Sequence, residues 1–182
     1  MRLSDKWFDY KIIDAGNKEK LEVWNGIVLR RPDPQAMWDV EETDIWKKVD
    51  GFYHRSSKGG GSWEFRKKIP EEWTVNYHGL TLKVSPTSFK HTGIFPEQAA
   101  NWDFMMEKIK KANRPIKVLN LFAYTGAATM ACSLAGATEV VHVDAARGMV
   151  DWAKENMKLS HLEDHKIRFI VDDCLKFVLR EK

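Results

Sequence analysis

The stretch Lys117-Val-Leu-Asn-Leu-Phe-Ala-Tyr-Thr-Gly126-Ala-Ala-Thr-Met130, followed by Val140-Val-His-Val-Asp144, constrains the fold of this chain more than any other. Val118, Leu119, Leu121 and Phe122 form a short apolar run of the kind that a strand buried on both faces needs. Thr125-Gly126 break the run before an Ala-rich segment that predicts a helix from about Ala127 to Ala135, with Gly136 as its stop. A second apolar run ends at Asp144. Strand, helix and strand in this compass make a βαβ unit, whose first turn and second strand tip face the crevice outside the carboxyl ends of the strands. Asp144 follows Gly126 by 18 residues, near the spacing at which an acidic side chain accepts hydrogen bonds from a ribose diol.

What the turn lacks narrows the ligand. A dinucleotide pyrophosphate needs the glycines of G-x-G-x-x-G, and a triphosphate needs G-x-x-x-x-G-K-[ST]; neither is present. One glycine, flanked by bulky Phe122 and Tyr124 and polar Asn120 and Thr125, suits an adenosine without phosphates and with a small zwitterionic tail. S-adenosylmethionine fits that description, with its carboxylate near the turn amides and the helix N-terminus. A third strand, Ile167-Arg-Phe-Ile-Val171, ends in Asp172-Asp173-Cys174, where a carboxylate can accept from the adenine amino group. The plainer alternative is that Asp144 and Asp172 only cap helices.

These residues carry a resemblance. Asn120-Leu-Phe-Ala-Tyr-Thr-Gly126, Val143-Asp144-Ala-Ala and Asp172-Asp173-Cys-Leu-Lys-Phe look like motifs I, II and III of the class I S-adenosylmethionine-dependent methyltransferases. Upstream, Phe89-Lys-His-Thr-Gly-Ile-Phe-Pro-Glu-Gln98-Ala-Ala-Asn-Trp102 is similar to the G-x-[FL]-x-[DE]-Q segment of the bacterial methyltransferases that include the large-subunit ribosomal RNA methyltransferases I and K. The resemblance runs from about Arg30 to the end of the chain.

Residue by residue, the resemblance implies that Asn120, Phe122, Tyr124 and Gly126 line the methionine part of the cofactor. Asp144 would hold the ribose hydroxyls and Asp173 the adenine amino group, with Cys174 beside it in the same motif. Phe89, His91, Thr92 and Gln98 would close the pocket from upstream. One departure is chemical: motif I usually opens on a carboxylate near the cofactor ammonium, and Asn120 is an amide that can accept a hydrogen bond but brings no charge.

Composition bounds the rest. With 182 residues, 43% hydrophobic and 30% charged, the chain reads as one globular domain or two small ones. No apolar run approaches the roughly 18 residues of a membrane span, and Met1-Arg-Leu-Ser-Asp-Lys has no signal-peptide core; a cytoplasmic protein is expected. Cys132 and Cys174 read as reduced core thiols, and the six histidines lack ligand spacing, so no metal is expected.

The first 85 residues have another texture. Six of the eight tryptophans fall there, amid alternating runs such as Trp63-Glu-Phe-Arg, Thr74-Val-Asn-Tyr and Leu80-Thr-Leu-Lys-Val84. Turn signals stand at Asn25-Gly26, Asp50-Gly51, His78-Gly79 and Gly59-Gly-Gly61, which together predict a small antiparallel β domain over 1–85. Residues 86–115 then form a connecting segment and a helix with apolar positions Ala99, Trp102, Met106 and Ile109, ended by Asn113-Arg114-Pro115. Residues 116–182 supply the first three strands of a Rossmann-like α/β sheet, with a helix over Met149 to Leu159 burying Met149, Trp152, Ala153 and Met157.

A substrate surface is less legible. The net charge of +3 is spread over both halves, 15 basic against 14 acidic residues in 1–85 and 14 against 12 in the remainder. Arg55, Lys58, Arg66, Lys67 and Lys68, interleaved with Tyr53, Trp63 and Phe65, have the charge-plus-stacking character of a single-strand RNA surface; a solvated hairpin with inward aromatics is the bland alternative. The resemblance favours methyl transfer to a base of ribosomal RNA, with a small-molecule or protein acceptor, or a non-catalytic cofactor-binding module, as alternatives. The family's Asp-Pro-Pro motif would follow Lys182, so catalytic residues are not identified, and Cys174, not preceded by proline, is not a nucleophile. The first strand would then present an unpaired edge, through which self-association is expected.

Overall fold

The computed structural model describes residues 2–41, 43–57, 59–88 and 90–181. They divide into two compact units. An N-terminal unit holds Lys6–Asn76 and Val84–Gly93; a C-terminal unit holds the residues up to Asp5, Tyr77–Lys83 and the chain from Ile94 on. The observed division therefore runs through the region expected to be one β domain, since 77–83 fall with the later part of the chain.

Five strands in sequential order make the N-terminal sheet: β1 (Tyr10–Gly16), β2 (Glu19–Trp24), β3 (Ile27–Pro32), β4 (Gly51–Arg55) and β5 (Gly61–Phe65). Asn25 at φ 47 and Gly26 at φ 83 make the left-handed two-residue turn that matches strand twist between β2 and β3. The expectation of a wholly antiparallel domain is corrected at one place. β3 and β4 pair in parallel, Leu29 opposite Gly51, because the intervening chain, which includes α1 (Asp44–Lys47), crosses back before β4 begins. Asp50-Gly51 is accordingly not a hairpin turn. The Asp50 carboxylate accepts from the Val28 amide at 2.8 Å, and a Cβ on Gly51 would stand 3.0 Å from the Leu29 and Phe65 side chains.

Leu21, Trp46 and Val49 form a core of this unit, with Ile13, Val28, Val40 and Phe52 against it. Within the same unit lies a fully buried carboxylate. Glu22 is paired twice with Arg31, Nε to Oε2 at 2.7 Å and Nη2 to Oε1 at 3.0 Å. It also accepts from the Tyr10 hydroxyl at 2.6 Å. Arg31 lies over the Trp24 ring and donates its third nitrogen to the Lys90 carbonyl at 2.8 Å. The segment after Val84 is held further by the Trp63 indole on the Thr87 carbonyl and the Tyr53 hydroxyl on that of Ser88.

β6 (Trp73–Tyr77) and β7 (Leu80–Val84) form a hairpin whose turn, His78-Gly79, is left-handed at both residues. The C-terminal unit then runs α2 (Ala99–Lys111), β8 (Lys117–Leu121), α3 (Ala127–Leu134), β9 (Glu139–Asp144), α4 (Arg147–Leu159), β10 (Ile167–Val171) and α5 (Cys174–Arg180). Its sheet is parallel in the order β10-β9-β8, the Rossmann-like arrangement. Val143, Cys174 and Phe177 pack one face with Leu121, Val141, Ile170 and Val178; α3 and α4 cover the face to which His142 points.

β8 lies at the edge of the described sheet, as expected of an unpaired first strand, with Leu119 50% exposed, while the strand buried on both faces is the central β9. The α4 stripe is rotated, its buried residues being Val150, Ala153 and Asn156 while Met149, Trp152 and Met157 are only half-buried. Asn156 sets that rotation, because its amide satisfies two backbone groups at once: Nδ2 donates to the Thr125 carbonyl and Oδ1 accepts from the Lys83 amide, both at 2.8 Å. Among the described residues no helix is long and apolar enough to cross a membrane.

Burial raises the Glu22 carboxyl pKa, but the Arg31 charge and hydrogen bonds outweigh it and hold the group below its ordinary 4.5. The stabilisation is present above that value and is lost as pH falls through the depressed one. Arg31→Met removes the bidentate partner of a buried charge, leaving Lys20 at 3.3 Å from it, and is expected to cost about 3 kcal/mol at pH 7. Urea unfolding at pH 7 and pH 5 checks this, the deficit shrinking at the lower pH as Glu22 takes up a proton; an equal deficit at both would contradict the buried-charge account.

Candidate cofactor site

At the carboxyl end of β8 the chain makes a turn that most residues avoid. Phe122 at φ 52, Tyr124 at φ 53 and Gly126 at φ 82 are all left-handed, a conformation that costs roughly 1–2 kcal/mol for a residue with a Cβ. Neighbouring elements hold it. The Phe122 amide donates to Cys174 Sγ at 3.1 Å, the Ala123 amide to the Val143 carbonyl at 3.1 Å, and the Tyr124 amide to Asp144 Oδ2 at 2.9 Å. Asn156 holds the Thr125 carbonyl from α4. Only glycine fits at 126, where a Cβ would meet that of Ala153 at 2.9 Å in addition to the unfavourable φ.

A polar relay runs beneath the turn. Asn120 Nδ2 donates to Thr129 Oγ1 at 2.9 Å, and Thr129 bonds His142 Nδ1 at 3.0 Å. The threonine hydroxyl has one proton and two lone pairs, so it can accept from Asn120 and take either role toward Nδ1. The other ring nitrogen, Nε2, is buried without a hydrogen-bond partner among the described residues. Burial pushes the His142 pKa down to about 4, against an upward pull from Asp144.

Above the turn lies a pocket of about 490 Å³ lined by residues between Ile94 and Ala128, a size typical of small-ligand sites. The first turn of α3 opens into it, and Gly126 provides no side-chain cap, so amide donors are left for an anion. Asp144 does not line the cavity but is joined to it through Tyr124. Both its oxygens are oriented, Oδ2 by the Tyr124 amide and Oδ1 by the Ala146 amide at 2.9 Å. Each oxygen keeps a second lone pair, which suits two hydroxyls.

Of the residues singled out in the sequence, Gln98, Asn120, Phe122, Tyr124 and Gly126 come together in this lining. Asp173 lies outside it and caps α5, its Oδ1 accepting from the Lys176 amide at 2.9 Å. The Cys174 thiol is buried under the turn, between the Phe122 amide and the Val143 carbonyl. His91 and Thr92 belong to the N-terminal unit. Phe89 lies outside the described residues. Sequence reasoning missed Asn156, Thr129 and His142, which support the turn and whose polar side chains gave no sign of burial, and did not single out Glu97, which lines the pocket, although it is the acidic position of the segment ending at Gln98.

In the basic hairpin the aromatics are mostly engaged. Tyr53 is 2% exposed, Trp63 donates to a backbone carbonyl, and Phe65 stacks on Trp63 at 5.8 Å with its outer side exposed. Arg55, Arg66, Lys67 and Lys68 are exposed. Arg66 donates to the Lys47 carbonyl and Lys67 pairs with Asp50 at 2.8 Å. Lys58 lies outside the described residues. The surface presented is therefore one of charge more than of stacking rings.

Residues 51–180 match the model of the S-adenosylmethionine-dependent methyltransferase family. A ribosomal RNA large subunit methyltransferase K/L of Shewanella pealeana is 32% identical over 182 residues, covering 97% of this chain and 24% of that protein. The protein of the same name from Colwellia psychrerythraea is 30% identical over 121 residues, 66% of this chain and 16% of its own length. The crystal structure of a SAM-dependent methyltransferase from Agrobacterium tumefaciens superposes with a TM-score of 0.90 at 40% identity, covering 96% of this chain and 56% of that one. The chain thus spans between about a sixth and about half of the lengths of these relatives.

The relay makes one readout. The His142 ring resonances are expected to titrate near pH 4 in the folded protein, not near 6.5. Because the folded pKa lies below the unfolded one, the unfolded chain binds the proton first, so stability falls as pH drops from about 6.5 to about 4, by on the order of 3 kcal/mol at roughly 1.4 kcal/mol per unit. Imidazole shifts followed by NMR over pH 3.5–7.5 check it, and a midpoint near 6.5 would contradict the buried neutral ring.

Proposed function

This chain belongs to the S-adenosylmethionine-dependent methyltransferases, and from that premise we propose that its pocket at the end of β8 binds S-adenosylmethionine for transfer of a methyl group to a base of ribosomal RNA. The observation that carries the cofactor assignment is the turn itself: Asn120, Phe122, Tyr124 and Gly126 wall one cavity while the Tyr124 amide orients Asp144 at its edge. The α3 amides receive the ligand carboxylate. Asp144 takes the ribose hydroxyls on its remaining lone pairs. Asp173 has its Oδ2 left over from capping α5, which is the atom for the adenine amino group. Gln98 closes the pocket from upstream.

When bound, the cofactor supplies an electrophilic methyl group on a sulfonium. The chain's own part is to hold that carbon in a fixed direction, so that an acceptor brought to it reacts as if at high local concentration. Support for ribosomal RNA as the acceptor comes from the names of the relatives and from the exposed cluster of Arg55, Arg66, Lys67 and Lys68, to which Lys58 is added from the sequence. With Tyr53 and Trp63 turned inward, that cluster is assigned to phosphates and not to stacked bases.

Asp144→Ala is expected to weaken binding of S-adenosylhomocysteine by about 1.5–3 kcal/mol, the usual loss for a hydrogen bond to a charged group. Calorimetry on the full chain reads this out, and unchanged affinity would remove Asp144 from the site.

For the RNA surface, reversing Arg66, Lys67 and Lys68 to Glu is expected to reduce the slope of log affinity against log salt by roughly 0.7 for each phosphate that is no longer neutralised. Filter binding of a ribosomal RNA fragment between about 50 and 200 mM salt, a range over which phosphate-driven affinity changes strongly, checks it. Superimposable slopes would return the cluster to a solvated hairpin.

A further inference from the structure

Among the described residues that line the pocket, Glu97 alone carries a charge. S-adenosylmethionine brings a sulfonium, an ammonium and a carboxylate, a net charge of +1, and a cation taken into a partly closed site needs an anion near it. The α3 amides answer the carboxylate. Asn120, whose Nδ2 is occupied by Thr129, leaves only a neutral oxygen for the ammonium. We propose that Glu97, which lines the same pocket, is the counter-charge for the cofactor's ammonium in place of a carboxylate at position 120. The assignment rests on the reading that this pocket holds S-adenosylmethionine.

Glu97 is well held for that task. It is the second residue of the 3-10 turn Pro96–Gln98 that leads into α2. Ser4 fastens that turn, its hydroxyl donating to the Glu97 carbonyl at 2.7 Å and accepting from the Ala100 amide at 3.2 Å. The preceding residue but one, Phe95, packs its ring against Tyr124 with centroids 5.3 Å apart, tying the segment to the left-handed turn. The Glu97 carboxylate itself makes no hydrogen bond or ion pair with the described residues. Its other role would be to complement the N-terminal dipole of α2. A dipole role alone affects stability without discriminating between ligands.

The test compares two ligands on the full chain: S-adenosylhomocysteine, and its analogue lacking the α-amino group. Glu97→Gln keeps the size and the hydrogen-bonding capacity while removing the charge. It is expected to lower affinity for S-adenosylhomocysteine by about ten-fold or more and to leave affinity for the deaminated analogue unchanged. Adding Asn120→Asp to Glu97→Gln should recover most of the loss by restoring a carboxylate to the pocket lining. Equal weakening of both ligands, or no weakening of either, overturns the proposal. Asp144→Ala separates the two levels: if it weakens both ligands while Glu97→Gln weakens neither, only the ammonium assignment falls, and if it too changes nothing, the cofactor reading of the pocket falls with it.

Discussion

The bond from the Tyr124 amide to the Asp144 carboxylate is the constraint on which the rest of the C-terminal unit depends. It joins the end of β8 to the end of β9 across a turn in which two side-chain-bearing residues sit in left-handed conformations. A turn of that kind persists only where its surroundings over-determine it. Here β9 provides a carbonyl and a carboxylate, α5 a thiol, and α4 the buried amide of Asn156. Each partner comes from a different part of the chain, so the pocket wall forms only when the parallel sheet and both helical layers have formed. The shape of the site is thereby coupled to the cooperativity of the unit.

How much of this was legible follows from where each signal originates. Strands and helices of the Rossmann-like part stand close to their expected bounds, because buried parallel strands need continuous apolar runs and the helices between them carry their own stops. The tip residues Asp144 and Asp173 were legible for the same reason, since strand ends fix them. The edge position of β8 was expected from strand order and not from its composition, because the run Val118–Phe122 looks the same at an edge as in a centre. Asn156 was invisible for a stronger reason: a helical wheel places it on the apolar face, but an amide reads as out of place there, and only the Thr125 and Lys83 backbone groups make its burial favourable. In the N-terminal unit, Asp50-Gly51 has the composition of a turn, but Gly51 is required by side chains crowding β4.

The N-terminal unit solves a different problem. Its apolar core around Leu21 and Trp46 is small, and a fully buried Glu22–Arg31 pair lies in the same sheet. Such a pair contributes little net stability relative to apolar replacements, yet breaking it is costly. What it adds is position. The Arg31 guanidinium has a third direction, spent on the Lys90 carbonyl, while Tyr53 and Trp63 fasten the carbonyls of Ser88 and Thr87. The segment carrying His91 and Thr92 is thus held by side chains whose residue types, read in isolation, suggested nucleic-acid stacking.

Whether an acidic residue at a strand tip is a helix cap or a ligand group turns out to be a false choice for this fold. Asp144 accepts one amide on each oxygen, and a carboxylate has about four lone-pair sites, so two remain directed outward with the group already immobilised. Asp173 likewise satisfies the Lys176 amide through Oδ1 and has its second oxygen left. Orientation by backbone amides removes most of the rotamer entropy that a free side chain would lose on binding. The same amides that fix these carboxylates would thus prepare the ligand contacts proposed for them, and removing Asp144 disturbs the turn as well. For that reason a loss measured at Asp144 is a coupled quantity and not the energy of two hydrogen bonds.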